Sequence, residues 1–237
     1  MNPNSIQDPG VRAGAIRWSL SETLSNLIPV AILFGVSGRW NWAMGWALSG
    51  IYVVSSALTA VLILPVNPAM LAERARPHPG TKAWDKSLLA GLSLLTMGTC
   101  LVGSLNVRLG WAPHVPIVLE FVGLAAAALG YDLLLTWAMV SNAFFVATVR
   151  IQTERQHAVA TDGPYRYIRH PGYLGGLLLR LGMPFMLGSV WALIPAGLSA
   201  AVLVVRTALE DKTLHAELPG YREYAGRVRY RLLPGVW

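Results

Sequence analysis

Charge is scarce in this chain. Only 13% of its 237 residues are Asp, Glu, Lys or Arg while 54% are hydrophobic, too little polar surface to solvate a globule of this size. Cysteine is scarcer still. Cys100 is the only one and lies inside an apolar run, which excludes a disulfide framework and a thiolate metal site and leaves a buried structural thiol as the reading. No metal-ligand cluster, phosphate-cradling glycine loop or Ser-His-Asp signature stands out. The net charge of +7 would suit nucleic acid, but no nucleic-acid module interrupts the apolar runs.

What is present is hydrophobic length. A helix needs about 20 apolar residues to cross a bilayer, and uncharged windows of that order occur at 40 to 64, 87 to 107 and 181 to 205. The window 109 to 149 is broken only by Glu120 and Asp132, and a shorter one, 23 to 38, contains Pro29. This last resembles a signal-peptide core and is read as an uncleaved span. The stretch from Pro171 to Val205 would be about 52 Å as one helix, too long for one crossing and enough for two short ones. Gly188 and Ser189 mark the turn. The expectation is an all-α integral membrane protein with about six spans, at 20 to 38, 41 to 64, 87 to 106, 115 to 148, 171 to 187 and 189 to 208. The fourth exceeds the hydrocarbon thickness and should tilt, kink or project from it.

The basic residues test this layout, because cytoplasmic loops are enriched in them. Sixteen of the 19 Lys and Arg fall in the N-terminus, the loop 65 to 86, the loop 150 to 170 and the tail. Arg39 and Arg108 fall opposite, and Arg180 within a span. Both termini are therefore expected in the cytoplasm. Two parts are expected: 1–110, with the first helices and the loop 65–86, and 111–237, with a long helix, the loop 150–170, the hairpin 171–208 and the tail 209–237.

Polar and aromatic residues concentrate in that second loop and in the tail. Only the short hairpin separates them, so they should meet at the membrane surface. The loop holds GPYRYIRHPGYLGG, Gly163 to Gly176. Gly163-Pro164 signals a turn, and Pro171 suits the first position of a helix. That helix would point its amides and positive dipole end at the cytosol beside Arg169 and His170, a natural place for a carboxylate or phosphate. Gly172 and Gly176 would clear one helix face for a backbone or a flat ligand. Each feature also has a plain explanation: glycines for helix packing, Arg166 and Arg169 as topogenic charges, His157 and His170 as interface residues. Their density favours a site.

In the tail, Glu210 and Asp211 stand where the last span should emerge, against the charge preference of that face. They need either an arginine of the loop or a cationic ligand group as partner. Tyr221, Tyr224 and Val228 recur at helical spacing, which an amphipathic helix lying on the membrane explains. Asp132 and Arg180, inside spans, are costly unless paired, and a pair between them is one solution.

The string GPYRYIRHPGYLGG, followed by Glu210-Asp211 and GYREYAGRVRYRLLPG, resembles the isoprenylcysteine carboxyl methyltransferase family, relatives of the phospholipid methyltransferases. The likeness is strongest from about Arg150 to Gly235. NPAMLAERARPHPGTKAWDK, Asn67 to Lys86, resembles a bacterial branch, implying the inner membrane. The resemblance implies an S-adenosylmethionine pocket at the cytosolic interface, lined by His157, Val159, Gly163, Tyr165, Arg169, His170, Tyr173 and Gly175. Glu210 with Asp211 would hold the cofactor's amino group, and Asp211 is one methylene shorter than the Glu of the phospholipid enzymes. The implied reaction is methyl transfer to a carboxylate or amine of a lipophilic acceptor such as an isoprenoid or lipid, without metal or nucleic acid. Arg169, Arg227 and Arg229 are candidates to hold an acceptor carboxylate.

Two other classes compete. Membrane sterol and steroid reductases carry a similar RHP segment and use NADPH, whereas the Glu210-Asp211 pair and the tail favour methyl transfer. A scaffold or transporter would place its polar residues through the midplane rather than at one face.

Overall fold

The computed structural model describes residues 6–76, 80–111, 113 and 115–237, so Pro77, His78 and Pro79 of the Asn67-to-Lys86 stretch lie outside the described residues. Nine α-helices are described, and no strand occurs among the described residues. They are α1 (Pro9–Ser37), α2 (Ala43–Ile63), α3 (Pro68–Arg74), α4 (Ala83–Leu109), α5 (Ile117–Ala127), α6 (Thr136–Val140), α7 (Pro171–Met186), α8 (Leu193–Glu217) and α9 (Tyr221–Arg227). A π-helical stretch, Ala128–Leu135, joins α5 to α6 in one continuous rod. Five helices are long and apolar enough to cross a membrane: α1, α2, α4, the rod Ile117–Val140 and α8. The fifth expected span, 171 to 187, is α7, which has 16 residues, about 24 Å at 1.5 Å per residue and so shorter than the hydrocarbon core.

Four boundaries differ from expectation. The first helix begins at Pro9 rather than near 20, because Asp8 caps it: its carboxylate accepts from Gly10 N–H at 2.8 Å and Val11 N–H at 3.0 Å, with proline at the first position. The loop 65–86 contains α3, started by the same device, Asn67 Oδ1 accepting from Met70 N–H at 3.2 Å. The fourth span ends at Val140 rather than 148, and 141–150 runs on as irregular backbone. The last helix reaches Glu217, so Glu210 and Asp211 sit on α8 rather than in a loose tail.

α7 packs against the rod through glycines on both sides. A Cβ on Gly175 would come within 2.3 Å of the Gly130 carbonyl oxygen, and one on Gly182 within 2.5 Å of the Gly123 oxygen. Backbones this close exclude any side chain, the small-residue packing that suits helices in lipid. Gly176, expected on the clear face, instead receives Arg180: the guanidinium donates to the Gly176 carbonyl at 2.9 Å and to Ser199 Oγ at 3.0 Å. The pair with Asp132 is not formed, and Asp132 Oδ1 is buried without a hydrogen bond.

The two ends of the bundle differ in chemistry. At one, exposed Trp40, Trp46, Trp111 and Trp191 ring the turns after α1, α4 and α7, as aromatic residues do at membrane interfaces. Asn106 holds the Gly188 carbonyl of the hairpin turn there at 2.9 Å, and Gly188 takes a φ of +64°, which favours glycine. At the other end the basic segments converge. Arg150 pairs with Glu73 at 3.0 Å, Lys82 with Glu217 at 2.7 Å and Arg206 with Asp85 at 2.7 Å.

Candidate functional site

At the basic end lies a cleft with about 770 Å³ of empty space, partly open to solvent. The irregular segment 142–150 forms one wall, the residues around His157 to Tyr165 a second, the start of α7 a third, and α8 with α9 the floor and far side. Of the residues singled out in the sequence, His157, Val159, Tyr165, Arg169, His170, Tyr173 and Glu210 line it; Gly163, Gly175, Asp211, Arg227 and Arg229 do not.

Those five have other places. Gly163 has φ +57°, and a Cβ there would fall 2.1 Å from Ser141 Oγ, so it lets the loop cross the end of α6. Gly175 is buried against the π-helical stretch. Arg227 and Arg229 are exposed beyond the cleft. Asp211 lies beneath it, 1% exposed, as a hub. Its Oδ1 accepts from Tyr221 O–H at 2.8 Å and lies 3.1 Å from His170 Nε2; its Oδ2 accepts from Arg231 Nε at 2.8 Å. Arg169 Nε stands 3.2 Å from Oδ1. One carboxylate thus ties the loop, α8, α9 and the tail together, a charge that is buried because it is fully paired.

Glu210 turns the other way, into the cleft. Among the described residues its hydrogen-bond partner is the Tyr173 hydroxyl, which donates to Oε2. The Arg206 guanidinium lies over the Tyr173 ring, 4.9 Å from its centroid. Two consecutive carboxylates, both unusual toward the C-terminal end of a helix, therefore have separate places: one is saturated by protein cations, the other presented to a space.

Loop and tail do meet. The tail's Tyr230 and Arg231 carbonyls accept from Arg169 N–H at 2.9 Å and His170 N–H at 3.0 Å. Tyr173 and Leu174 N–H close on the His170 carbonyl at 3.1 and 3.2 Å. Four amides at the start of α7 are thus already used, and the positive character expected there rests on Arg169 and the helix dipole rather than on a row of free N–H groups. The α9 stretch, expected to lie on the membrane, instead folds onto the loop: Tyr221, Tyr224 and Ala225 are buried with Tyr165, Leu218 and Ala138. The Tyr224 hydroxyl donates to the Tyr165 carbonyl at 2.8 Å and Asn142 to the Tyr165 hydroxyl at 3.2 Å. Burial raises the pKa of Tyr165, Tyr221 and Tyr224 above the ordinary phenol value, so all three stay neutral donors at physiological pH.

His157 is half-buried against Phe144, ring centroids 4.6 Å apart. Burial, and then Arg150 and Arg155, push its pKa down to about 4, so the ring is neutral near pH 7. Its Nδ1 accepts from Gln152 N–H at 3.3 Å, which places the remaining proton on Nε2.

Sequence reasoning missed the segment Asn142 to Arg150, a full wall of the cleft. It reads as the end of an apolar span, and hydropathy alone has no signal for a helix that stops inside it. It also missed Asp85, 0% exposed, which accepts from Arg206 and from Val149 N–H.

With this geometry in view, the comparisons agree. Residues 123–216 match the isoprenylcysteine carboxyl methyltransferase (ICMT) family, a stretch that contains the π-helical rod, the loop, the hairpin and both carboxylates. Sixty-eight residues are 35% identical to proteins named "Probable protein-S-isoprenylcysteine O-methyltransferase" from Oryza sativa subsp. indica and subsp. japonica, covering 29% of this chain and 36% of each relative. The chain thus spans about a third of the length of these curated relatives. From Gly123 to Ala216, which build most of the cleft, the chain is similar to the isoprenylcysteine carboxyl methyltransferase family.

Proposed function

We propose that the chain is a membrane-embedded methyltransferase that uses S-adenosylmethionine and methylates a carboxylate, or an amine, on a lipophilic acceptor. The observation that carries this reading is Glu210, a carboxylate presented to an aromatic-walled cleft that, among the described residues, forms no ion pair and is held by the neutral Tyr173 hydroxyl. The cofactor carries an ammonium, a sulfonium, an adenine and a carboxylate. Glu210 suits the ammonium, while Phe144, Phe145, Tyr165 and Tyr224 along the walls offer ring faces to the sulfonium and adenine. Arg169 and the α7 dipole suit the carboxylate. Bound there, the cofactor would supply an electrophilic methyl group.

The protein's own work is positional. Methyl displacement needs the acceptor oxygen or nitrogen held in line, and a carboxylate acceptor is already ionised at neutral pH, so no strong base is required. The neutral tyrosines and His157 exclude water and keep the site's charge constant. Arg227 and Arg229 stand off the cleft, which leaves Arg169 as the arginine of the candidate set that lines it.

A second hollow, with about 1540 Å³ of empty space, lies beside the cleft and shares Phe144 with it. Leu62, Val66 and Val140 on its walls are exposed, as surfaces facing lipid are, so a lipophilic acceptor would approach from the bilayer while the soluble cofactor enters from water. This reading orients the basic end, with both termini, to the cytoplasm of a bacterial inner membrane, following the positive-inside rule. NADPH fits less well, since its phosphates would face Glu210.

The test is transfer of labelled methyl from S-adenosylmethionine, by the detergent-purified chain, to a panel containing N-acetyl-S-farnesylcysteine, palmitate and a lipid amine, with NADPH oxidation followed in parallel. Label appearing in any acceptor, and its loss in Glu210→Gln, supports the proposal. NADPH turnover without methyl transfer overturns it.

A further inference from the structure

We propose that the buried Asp85–Arg206 ion pair is the positioning element of the cleft, setting both the 146–150 wall and Glu210, and through them cofactor affinity. The inference rests on the methyltransferase reading for its ligand, and on geometry for everything else. Asp85 stands in the first turn of α4, far in sequence from the loop and tail, and belongs to the Asn67-to-Lys86 stretch that the site itself does not use.

Both oxygens of Asp85 and two nitrogens of Arg206 have assignments. Asp85 Oδ1 accepts from Arg206 Nε at 2.7 Å, and Oδ2 accepts from Val149 N–H at 2.7 Å and lies 3.3 Å from Arg206 Nη2. Arg206 Nη2 also donates to the Ala147 carbonyl at 2.7 Å. Asp85 and Arg206 are 0% and 5% exposed. The segment they grip supplies Val146, Thr148, Val149 and Arg150 to the cleft, and it has no helix or sheet of its own to hold it. From the other face of the same guanidinium the chain continues: Arg206 lies over the Tyr173 ring, and the Tyr173 hydroxyl holds Glu210. Neither Asp85 nor Arg206 lines the cleft, so both act through other groups.

A pair used only to pin α4 to α8 would need the two charges and nothing more. Here the carboxylate's second oxygen and the guanidinium's second nitrogen both go to the backbone of the wall. Lys82–Glu217, at 2.7 Å between partly exposed side chains, is a control, since it also joins the start of α4 to α8 through side chains that hold no residue of the wall; the Lys82 main-chain N–H donates to the Val149 carbonyl at 3.4 Å, a bond that Lys82→Met keeps.

The experiment uses the full chain in detergent, with Asp85→Asn, Asp85→Glu, Arg206→Lys and Lys82→Met, each checked for a monodisperse elution profile and a cooperative melt. S-adenosylmethionine binding is read by calorimetry, and hydrogen exchange of the peptide covering 144–150 is read without ligand. Expected are at least tenfold weaker binding and faster exchange at 144–150 in Asp85→Asn and Arg206→Lys, partial recovery of both in Asp85→Glu, and parental behaviour in Lys82→Met. Parental exchange and affinity in folded Asp85→Asn would overturn the proposal, as would equal losses in Lys82→Met. If the parent binds no S-adenosylmethionine, the cofactor reading fails by itself, and the exchange at 144–150 still decides whether the pair positions the wall.

Discussion

Glu210 and Asp211 are neighbours in sequence, alike in chemistry, and face two different regions. Asp211 looks into a crowded junction where His170, Tyr221 and Arg231 crowd its oxygens; Glu210 looks into a cleft where Tyr173 is its partner. Successive helix positions are about 100° apart, so one can serve the fold while the other serves a ligand. The lesson is that a carboxylate pair at the end of a span is not a unit. Saturation by protein donors marks the structural member, and a carboxylate that faces space with one neutral partner is the candidate for a ligand.

Mutation separates the two regions. Asp211→Ala leaves Arg169 buried without its counter-charge and His170 without its hydrogen-bond partner, and should cost about 3–5 kcal/mol, the usual result of removing one partner of a buried pair. Thermal unfolding measures it, and proteolysis of the freed tail should accompany it. A melt within a degree or two of the parent would break the comparison. Gly175→Ala tests the helix packing beneath, since its methyl would enter the 2.3 Å approach to the Gly130 oxygen. A loss of about 1–3 kcal/mol is expected, as for overpacked sites, with cofactor affinity reduced only as far as folding is.

Glu210→Gln should do the reverse. The melt stays close to parental, while S-adenosylmethionine binding falls tenfold or more, about 1.4 kcal/mol. The smallest effect concerns pH. His157 has a pKa of about 4 in the fold against about 6.5 unfolded. The unfolded chain therefore takes up the proton first, and stability declines as pH falls from about 6.5 toward 4, then levels. Unfolding midpoints measured across this range should show the decline in the parent and less of it in His157→Gln.

Much of the fold was legible because bilayer physics is simple. Hydropathy located the five long helices, and basic residues named the end at which loop and tail meet. The glycine of the hairpin turn also stood out, at Gly188. The start of α1 was equally readable, since Asp8-Pro9 is a cap signal. The π-helical stretch left no trace, because residues 128 to 135 carry a single charged residue, Asp132, and a change of helical period needs a series of polar markers to show. In the cleft, the loop residues Tyr165, Arg169, His170 and Tyr173 lie in the dense stretch Gly163 to Gly176, whereas His157 was singled out only by the family resemblance. The split between Glu210 and Asp211 depends on how α8 is rotated, which an apolar helix does not reveal. Asp85 was invisible for a different reason: its partners lie 64 and 121 residues away, and one Asp beside two lysines reads as an ordinary surface charge.

The most direct measurement is S-adenosylmethionine affinity, by calorimetry, for the parent, Glu210→Gln and Asp211→Asn, each paired with its melt. The account expects saturable binding to the parent, binding lost with folding kept in Glu210→Gln, and a lowered melt in Asp211→Asn. Full affinity in Glu210→Gln, or a parent that binds nothing, would contradict it.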